Sequence, residues 1–116
     1  MIISQDSDEQ VIVVTVHGKL IGEPEIQELY SHFRYLRDQK IFRVVLNLQS
    51  LDWMSSLGLG ALISSVTTMR NAGGDVRLCN LSSKLKSLVA IARLDHIFQI
   101  FDSAELAVQS FNTIHH

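Results

Sequence analysis

Apolar residues along this chain follow two spacings, one typical of strands and one typical of helices. Residues 10–16 and 42–48 are runs of aliphatic and β-branched side chains, and such runs predict strands. Two other segments place apolar residues three or four positions apart, which predicts amphipathic helices. The apolar stripes of these helices are Ile26, Leu29, Tyr30, Phe33 and Leu36, and then Leu59, Leu62, Ile63, Val66 and Met69.

The first part of the chain is predicted to form a strand pair that leads into a helix. Residues 2–5 are expected to pair with residues 10–16 through a turn over residues 6–9. The sequence Glu-Pro-Glu at residues 23–25 predicts the helix start, because proline fits the first helical position and carboxylates favour a helix N-terminus.

The second part of the chain continues the alternation of strands and helices. Gly73 and Gly74 predict the end of the second helix. Asp102, followed three residues later by Glu105, is a capping-box pattern and predicts a C-terminal helix that ends near Phe111. The remaining predicted strands are residues 76–79 and 97–101, and the third helical stripe is Leu85, Leu88, Val89 and Ala92.

Together these segments predict an α/β fold with the order ββαβαβαβα. Strands that alternate with helices of this length favour a sandwich of about four helices on a mixed β-sheet of about five strands. The chain has 116 residues and shows no linker, internal repeat or low-complexity tract. A single domain over residues 1–116 is therefore expected.

Composition and charge argue against several functions. The 10 basic and 12 acidic side chains give a net charge of -2 without a basic stripe, so direct nucleic-acid binding is not expected. No apolar stretch approaches the roughly 20 residues of a membrane span, and no signal peptide is predicted, so we expect a cytoplasmic protein without membrane insertion. The only cysteine, Cys79, excludes an internal disulfide and is expected to be an inert buried thiol.

Residues 51–62, LDWMSSLGLGAL, join a strand to a helix through two serines and two glycines. Ser55 is predicted to be the N-cap and Ser56 a residue of the first turn. Unpaired backbone amides at that helix end can receive an anion, including a phosphate carried by Ser56 itself. Helix capping and tight packing alone also explain these residue types, so both interpretations stay open.

The outer face of the same helix carries little charge. Arg70 is the only charged residue across residues 56–71. Small uncharged side chains permit close approach and lose little entropy on docking, so this face is either a partner surface or a plain surface low in charge. Its residues are Gly60, Ser64, Thr67 and Thr68.

The segment VVLNLQSLDWMSSLGLGALISSV resembles the signature of the STAS family, in which a strand, a D-S-[ST]-G-L-G turn and a helix form the working site. The segment GGDVRLCNLSSKLKSLVAIARLDHIFQIFDSAELA is similar to the family's second half, and VIVVTVHGKL fits its first half more loosely. The resemblance spans nearly the whole chain and is to the bacterial anti-sigma factor antagonists, also called anti-anti-sigma factors.

This resemblance implies a binding protein that is not an enzyme and needs no cofactor or metal. In the family's bacterial regulators, an anti-sigma factor that is also a serine kinase phosphorylates the turn serine, and a serine phosphatase restores it. The unphosphorylated form binds that kinase and frees the sigma factor. By position the phosphorylated serine is Ser56, with Ser55 as the alternative. The expected partner-binding residues are Trp53, Met54, Ser55, Ser56, Leu57, Gly58, Gly60 and Ser64.

Three positions depart from the family pattern. Ser55 stands at the motif's aspartate, Ile21 stands at the acid of a G-x-L-D turn, and Leu57 replaces a small residue, usually a hydroxyl. The missing acids favour a second hypothesis, in which the chain is a STAS binding subunit that is never phosphorylated. Such a subunit would serve a transporter, a lipid-trafficking complex or a stress-signalling complex.

Other chemistry has little support in the sequence. The segment SSLGLG lacks the G-x-S-x-G pattern of a hydrolase, and His17, His32 and His96 form no triad or metal-ligand pattern. The third hypothesis is a small enzyme or nucleotide binder. Only the glycines speak for it, and they do not make a G-x-G-x-x-G phosphate loop. Trp53 either anchors an interface or braces the turn, and the oligomeric state stays open.

Overall fold

Strands and helices alternate along the chain in the computed structural model, which describes residues 3–8 and 10–112. In chain order the elements are β1 (Ile3–Asp8), β2 (Val11–Val16), β3 (Gly18–Leu20), α1 (Glu23–Asp38), β4 (Arg43–Asn47), β5 (Leu51–Met54), α2 (Ser56–Asn71), β6 (Asp75–Cys79), α3 (Ser83–Ile91), β7 (Gln99–Phe101) and α4 (Ala104–Asn112).

Five strands form a mixed sheet in the order β1-β2-β4-β6-β7. β1 runs antiparallel to β2, and the other neighbours are parallel. β3 and β5 form a separate two-stranded parallel pair. The predicted mixed sheet and its helices are confirmed, and the structure adds β3 and β5, which the sequence pattern does not predict.

Side chains that alternate along the strands divide the interior between the two faces of the sheet. Val44 and Leu46 of β4 pack with α1, α2 and α3, whereas Val45 between them packs with α4 on the other face. Because β4 is central and covered on both faces, its sequence is continuously apolar from residue 44 to residue 46. α4 contributes Ala107 and Val108 to the smaller second cluster.

Two local predictions were wrong. The first strand extends through most of the predicted turn, and its ladder continues to the pair Asp8 with Val11. Asp102 does not cap α4, because the hydroxyl of Ser103 accepts the amide of Leu106 at 3.1 Å and so fills that role. The sequence pattern had placed the cap one residue too early.

Asp75 holds the entry to β6 through two arginines. Its Oδ1 accepts from the Nε of Arg70 at 2.8 Å and from the amide of Val76 at 2.9 Å, and its Oδ2 accepts from the Nε of Arg77 at 3.4 Å. The guanidinium of Arg77 also lies 4.0 Å above the ring of Phe111. This carboxylate therefore ties α2 to β6, and through Arg77 to α4.

The substitution Asp75→Ala is expected to destabilise the fold by about 1–3 kcal/mol, since it leaves two half-buried guanidinium groups without their acceptor. Asp38→Ala is the matched control, because it removes an exposed ion pair to Arg37 that is worth less than about 1 kcal/mol. Urea unfolding followed by circular dichroism measures both. Equal losses in the two variants would contradict this role of Asp75.

Candidate functional site

A short parallel pairing builds the turn at the start of α2. β3 and β5 place Leu20 opposite Met54, so the chain leaves both strands at the same end of the pair. The amide of Ser55 donates to the carbonyl of Leu20 at 3.1 Å, and the hydroxyl of Ser55 donates to the carbonyl of Ile21 at 3.3 Å. The segment that leads into α1 therefore lies against the first turn of α2.

Ser55 is the N-cap of α2, as the sequence predicted. Its hydroxyl accepts the amide of Gly58 at 3.2 Å, and its carbonyl accepts the amide of Leu59 at 2.8 Å. The first amides of a helix have no acceptor within the helix, so these two bonds leave the amides of Ser56 and Leu57 for solvent or an anion. The first turn holds no acidic residue that would compete for them.

Gly58 brings the first turn of α2 into direct contact with the backbone of Leu20. A Cβ at Gly58 would overlap the carbonyl oxygen of Leu20 and lie 3.1 Å from its carbonyl carbon. Gly60, two residues later in the helix, is exposed, and a Cβ there would meet nothing within 4 Å. The first glycine is thus required by packing, whereas the second leaves a bare stretch of helix surface.

Ser56 is the first residue of α2 and its side chain is exposed. Among residues 3–8 and 10–112, its hydroxyl has no hydrogen-bond partner. The hydroxyl of Ser55 is half-buried and makes two hydrogen bonds. Of the two serines, Ser56 is the one whose oxygen is free to meet another protein.

Large apolar side chains are exposed on the segments that meet at the turn and on the neighbouring helix α3. Leu57 is 65% exposed, Ile21 is 44% exposed and Trp53 is 40% exposed. Trp53 also lines a groove of about 620 Å³ against α3, whose Ile91 is 80% exposed. We call Ile21, Trp53, Leu57 and Ile91 the apolar rim. Exposed apolar side chains gathered at one place are typical of an interaction surface.

The structure separates the predicted partner-binding residues into two groups. Ser56, Leu57, Gly60 and Ser64 are exposed, and Trp53 is exposed at the end of β5. The remaining predicted contacts, Met54 and Gly58, are buried and support the turn from beneath, as does the half-buried Ser55.

Sequence reasoning missed Ile21 and Ile91 as members of this surface. Ile91 falls off the apolar stripe of the third helix, and that offset is the signal that could have identified it as exposed. Ile21 carries no such signal, because it is a single apolar residue outside any periodic stripe. The hydrogen bond from the hydroxyl of Ser55 to the carbonyl of Ile21 shows that the two departures from the acidic pattern lie side by side.

The remaining candidate groups are the cysteine thiol and the side chains that could bind a metal. Cys79 is buried, as predicted, and desolvation raises the pKa of its thiol to about 11. Within the described part of the chain, no three metal-ligating side chains come together. Over the same residues, no helix combines the length and apolar character needed to cross a membrane.

Comparison with known proteins identifies the family. The family model of the STAS domain matches residues 3–107, and the chain therefore belongs to the STAS domain family.

Similar proteins carry related names. BtrV of Bordetella bronchiseptica, described as a candidate anti-sigma factor antagonist, is 26% identical over 113 residues that cover 97% of each chain. The crystal structure of an anti-sigma factor antagonist from Mycobacterium paratuberculosis has a TM-score of 0.83 at 15% identity, and the match covers 96% of this chain and 93% of that one. The Bacillus cell fate determinant SpoIIAA in its phosphorylated form has a TM-score of 0.73 at 15% identity, over 96% and 99% of the two chains. At these identities the two structures show a shared fold.

Substitution of the two motif glycines by alanine is expected to change the free energy of unfolding in opposite directions. Gly58→Ala should destabilise the fold by about 1–3 kcal/mol, because the new methyl group displaces the backbone of Leu20. Gly60→Ala should stabilise it by about 0.5–1 kcal/mol, since the site is open and alanine favours a helix. Thermal and urea unfolding of both variants provide the measurement. A stabilising Gly58→Ala would contradict the close contact.

Proposed function

We propose that this chain is a cytoplasmic, single-domain anti-sigma factor antagonist that catalyses no reaction. It binds an anti-sigma factor that is also a serine kinase, and phosphorylation of Ser56 by that kinase switches it off. The observation that carries the proposal is an exposed, unbonded hydroxyl at a helix N-terminus, set within the apolar rim. The family membership and the names of the relatives support the general role.

The apolar rim supplies the binding energy in this proposal. Trp53 and Leu57 offer large apolar surfaces that a partner would remove from water, and burial of such side chains contributes most of the free energy in compact interfaces. Gly60 and Ser64, further along α2, present little side chain. A partner can therefore approach the helix backbone closely without ordering long side chains.

A phosphate on Ser56 would favour the free protein and oppose the complex. It adds about 1.5 to 2 negative charges. In the free protein this charge lies at the N-terminus of α2, where helix amides and the absence of acids in the first turn stabilise it. In the complex the same charge would be enclosed between the apolar rim and the partner, away from water. Burial of an unpaired charge is costly, so the complex dissociates. A serine phosphatase then restores the binding form.

Ser55 is the weaker candidate for the modification. Its hydroxyl accepts from the amide of Gly58 and donates to the carbonyl of Ile21, so a phosphate on that oxygen would disrupt both hydrogen bonds. Loss of an N-cap alone costs about 0.5–2 kcal/mol.

The second candidate function is a STAS subunit that binds constitutively. The neutral pair formed by Ser55 and Ile21 favours it, because both positions are acidic where the family uses the switch. The same exposed surface would then serve a transporter, a lipid-trafficking complex or a stress-signalling complex. The two functions differ only in whether Ser56 accepts phosphate.

Substitutions at Ser56 separate binding from the switch. Ser56→Asp should lower the affinity for the kinase-type anti-sigma factor of the same organism at least about tenfold, because it places a charge within an apolar interface. Ser56→Ala should bind within about threefold of wild type but accept no phosphate from ATP. Isothermal titration calorimetry and a radiolabel transfer assay measure the two properties. Wild-type affinity in Ser56→Asp would contradict the switch.

Substitutions in the apolar rim test the docking surface itself. Leu57→Ala should weaken binding about tenfold, as expected for an exposed apolar contact buried on binding. Leu106→Ala is the matched control, because it removes an exposed leucine from α4, which packs on the other face of the sheet. The same titration applies to both variants. Equal effects of the two substitutions would place the interface elsewhere.

A further inference from the structure

A second groove, of about 400 Å³, lies between α1 and α2. α1 lines it with Tyr30, Phe33, Arg34 and Arg37, which share one helix face because they are spaced three or four residues apart. α2 lines it with three hydroxyl side chains, those of Ser64, Ser65 and Thr68, of which the buried Ser65 already donates to the carbonyl of Ala61. Its walls thus combine aromatic rings, hydroxyl groups and two guanidinium groups, and no acidic residue lines it.

The guanidinium groups of this groove are available to a ligand. Arg34 donates to the hydroxyl of Ser31 at 3.2 Å and has no carboxylate partner in the described ranges, residues 3–8 and 10–112. Arg37 pairs with its neighbour Asp38 at 3.2 Å, and this pair is exposed and readily exchanged. Arg70, by contrast, is committed to Asp75. Arginine is also the side chain best suited to bind a carboxylate through two parallel hydrogen bonds.

The groove continues the docking surface of Ser56 along α2. Thr68 lies twelve residues after Ser56, a distance of roughly 18 Å along the helix axis. The exposed residues between them are Leu57, Gly60, Ser64 and Thr67, and none carries charge. A partner that covers the first turn of α2 therefore reaches the arginines without meeting a charged side chain on this face.

We propose that the groove between α1 and α2 receives an acidic side chain of the same protein partner that docks at Ser56. The inference rests on the proposed function, since it assigns the groove to that partner. Because Arg34 and Arg37 are positively charged, the side chain that binds in the groove is expected to be a glutamate or an aspartate. The hydroxyls of Ser64 and Thr68 add hydrogen-bond donors at the opposite wall.

The groove is tested first with a defined probe and the full chain. A short oligoglutamate peptide, blocked at both ends, is titrated into isotopically labelled protein while amide and arginine side-chain signals are followed by NMR. We expect signals of Arg34, Arg37 and Thr68 to shift, and the shifts to shrink as salt is raised. An oligoglutamine peptide of equal length should leave them in place. Absence of shifts, or shifts spread evenly over all basic residues, would overturn the proposal.

Two further controls distinguish other occupants. The variant R34Q/R37Q should weaken the peptide about tenfold, since it removes both charge-assisted contacts, whereas R43Q/R93Q changes two arginines that do not line the groove and should leave the affinity unchanged. Equal shifts with inorganic phosphate would assign the groove to a free anion instead of an acidic segment. Shifts that depend on protein concentration without any peptide would assign it to a second copy of the chain. Either result overturns the proposal.

The kinase-type anti-sigma factor then separates this inference from the proposed function. R34Q/R37Q should lower its affinity about tenfold, mainly through slower association, while R43Q/R93Q should not. Unchanged affinity in R34Q/R37Q would overturn the inference and leave the switch at Ser56 intact. If wild-type protein fails to bind the kinase, the proposed function fails, and with it the assignment of the groove to that partner.

Discussion

The site depends on the close packing of Gly58 against the backbone of Leu20. That contact lets the first turn of α2 approach the end of β3, while the amide of Ser55 bonds the same carbonyl group. Any side chain at Gly58 would push the helix away and break this bond. The exposed position of Ser56 therefore follows from a contact that lies beneath it, made entirely by buried backbone.

The different roles of Ser55 and Ser56 follow from this geometry. Ser55 uses its hydroxyl as both donor and acceptor, to Ile21 and from Gly58, and so holds the two segments of the turn together. Ser56 is left with a free oxygen among exposed apolar side chains. In the proposed function, a rigid cap carries an adjacent residue whose charge can change without loss of the fold. The hydrogen bond from the hydroxyl of Ser55 to the carbonyl of Ile21 holds the turn together with no charged side chain at either position.

Much of the fold could be predicted from the sequence because periodicity reports burial directly. The stripe from Ile26 to Leu36 and the continuous run in β4 each match the face, or faces, that the core covers. β3 and β5 were missed because strands of three and four residues carry too few positions to show a period. Their pairing is a long-range contact that no local pattern records, and it is the contact that builds the turn.

The sequence predicted the roles of the serines and glycines in the turn better than it predicted which neighbouring residues are exposed. Ser55 was identified as a cap from residue type and position alone, whereas the burial of Met54 depends on how β5 lies over the core. The exposure of Ile91 and the arginine-lined groove arise where helices distant in sequence meet. Such surfaces depend on the relative placement of helices, which hydrophobic periodicity leaves undetermined.

The proposed switch at Ser56 is tested most directly by the covalent state of the protein in its own cells. Intact-mass spectrometry with peptide mapping, on protein purified from several growth conditions, reports both the presence and the position of phosphate. The account predicts a fraction that carries a single phosphate on Ser56. Protein without phosphate under every condition, or with phosphate only at another residue, would contradict it and favour a constitutive binding subunit.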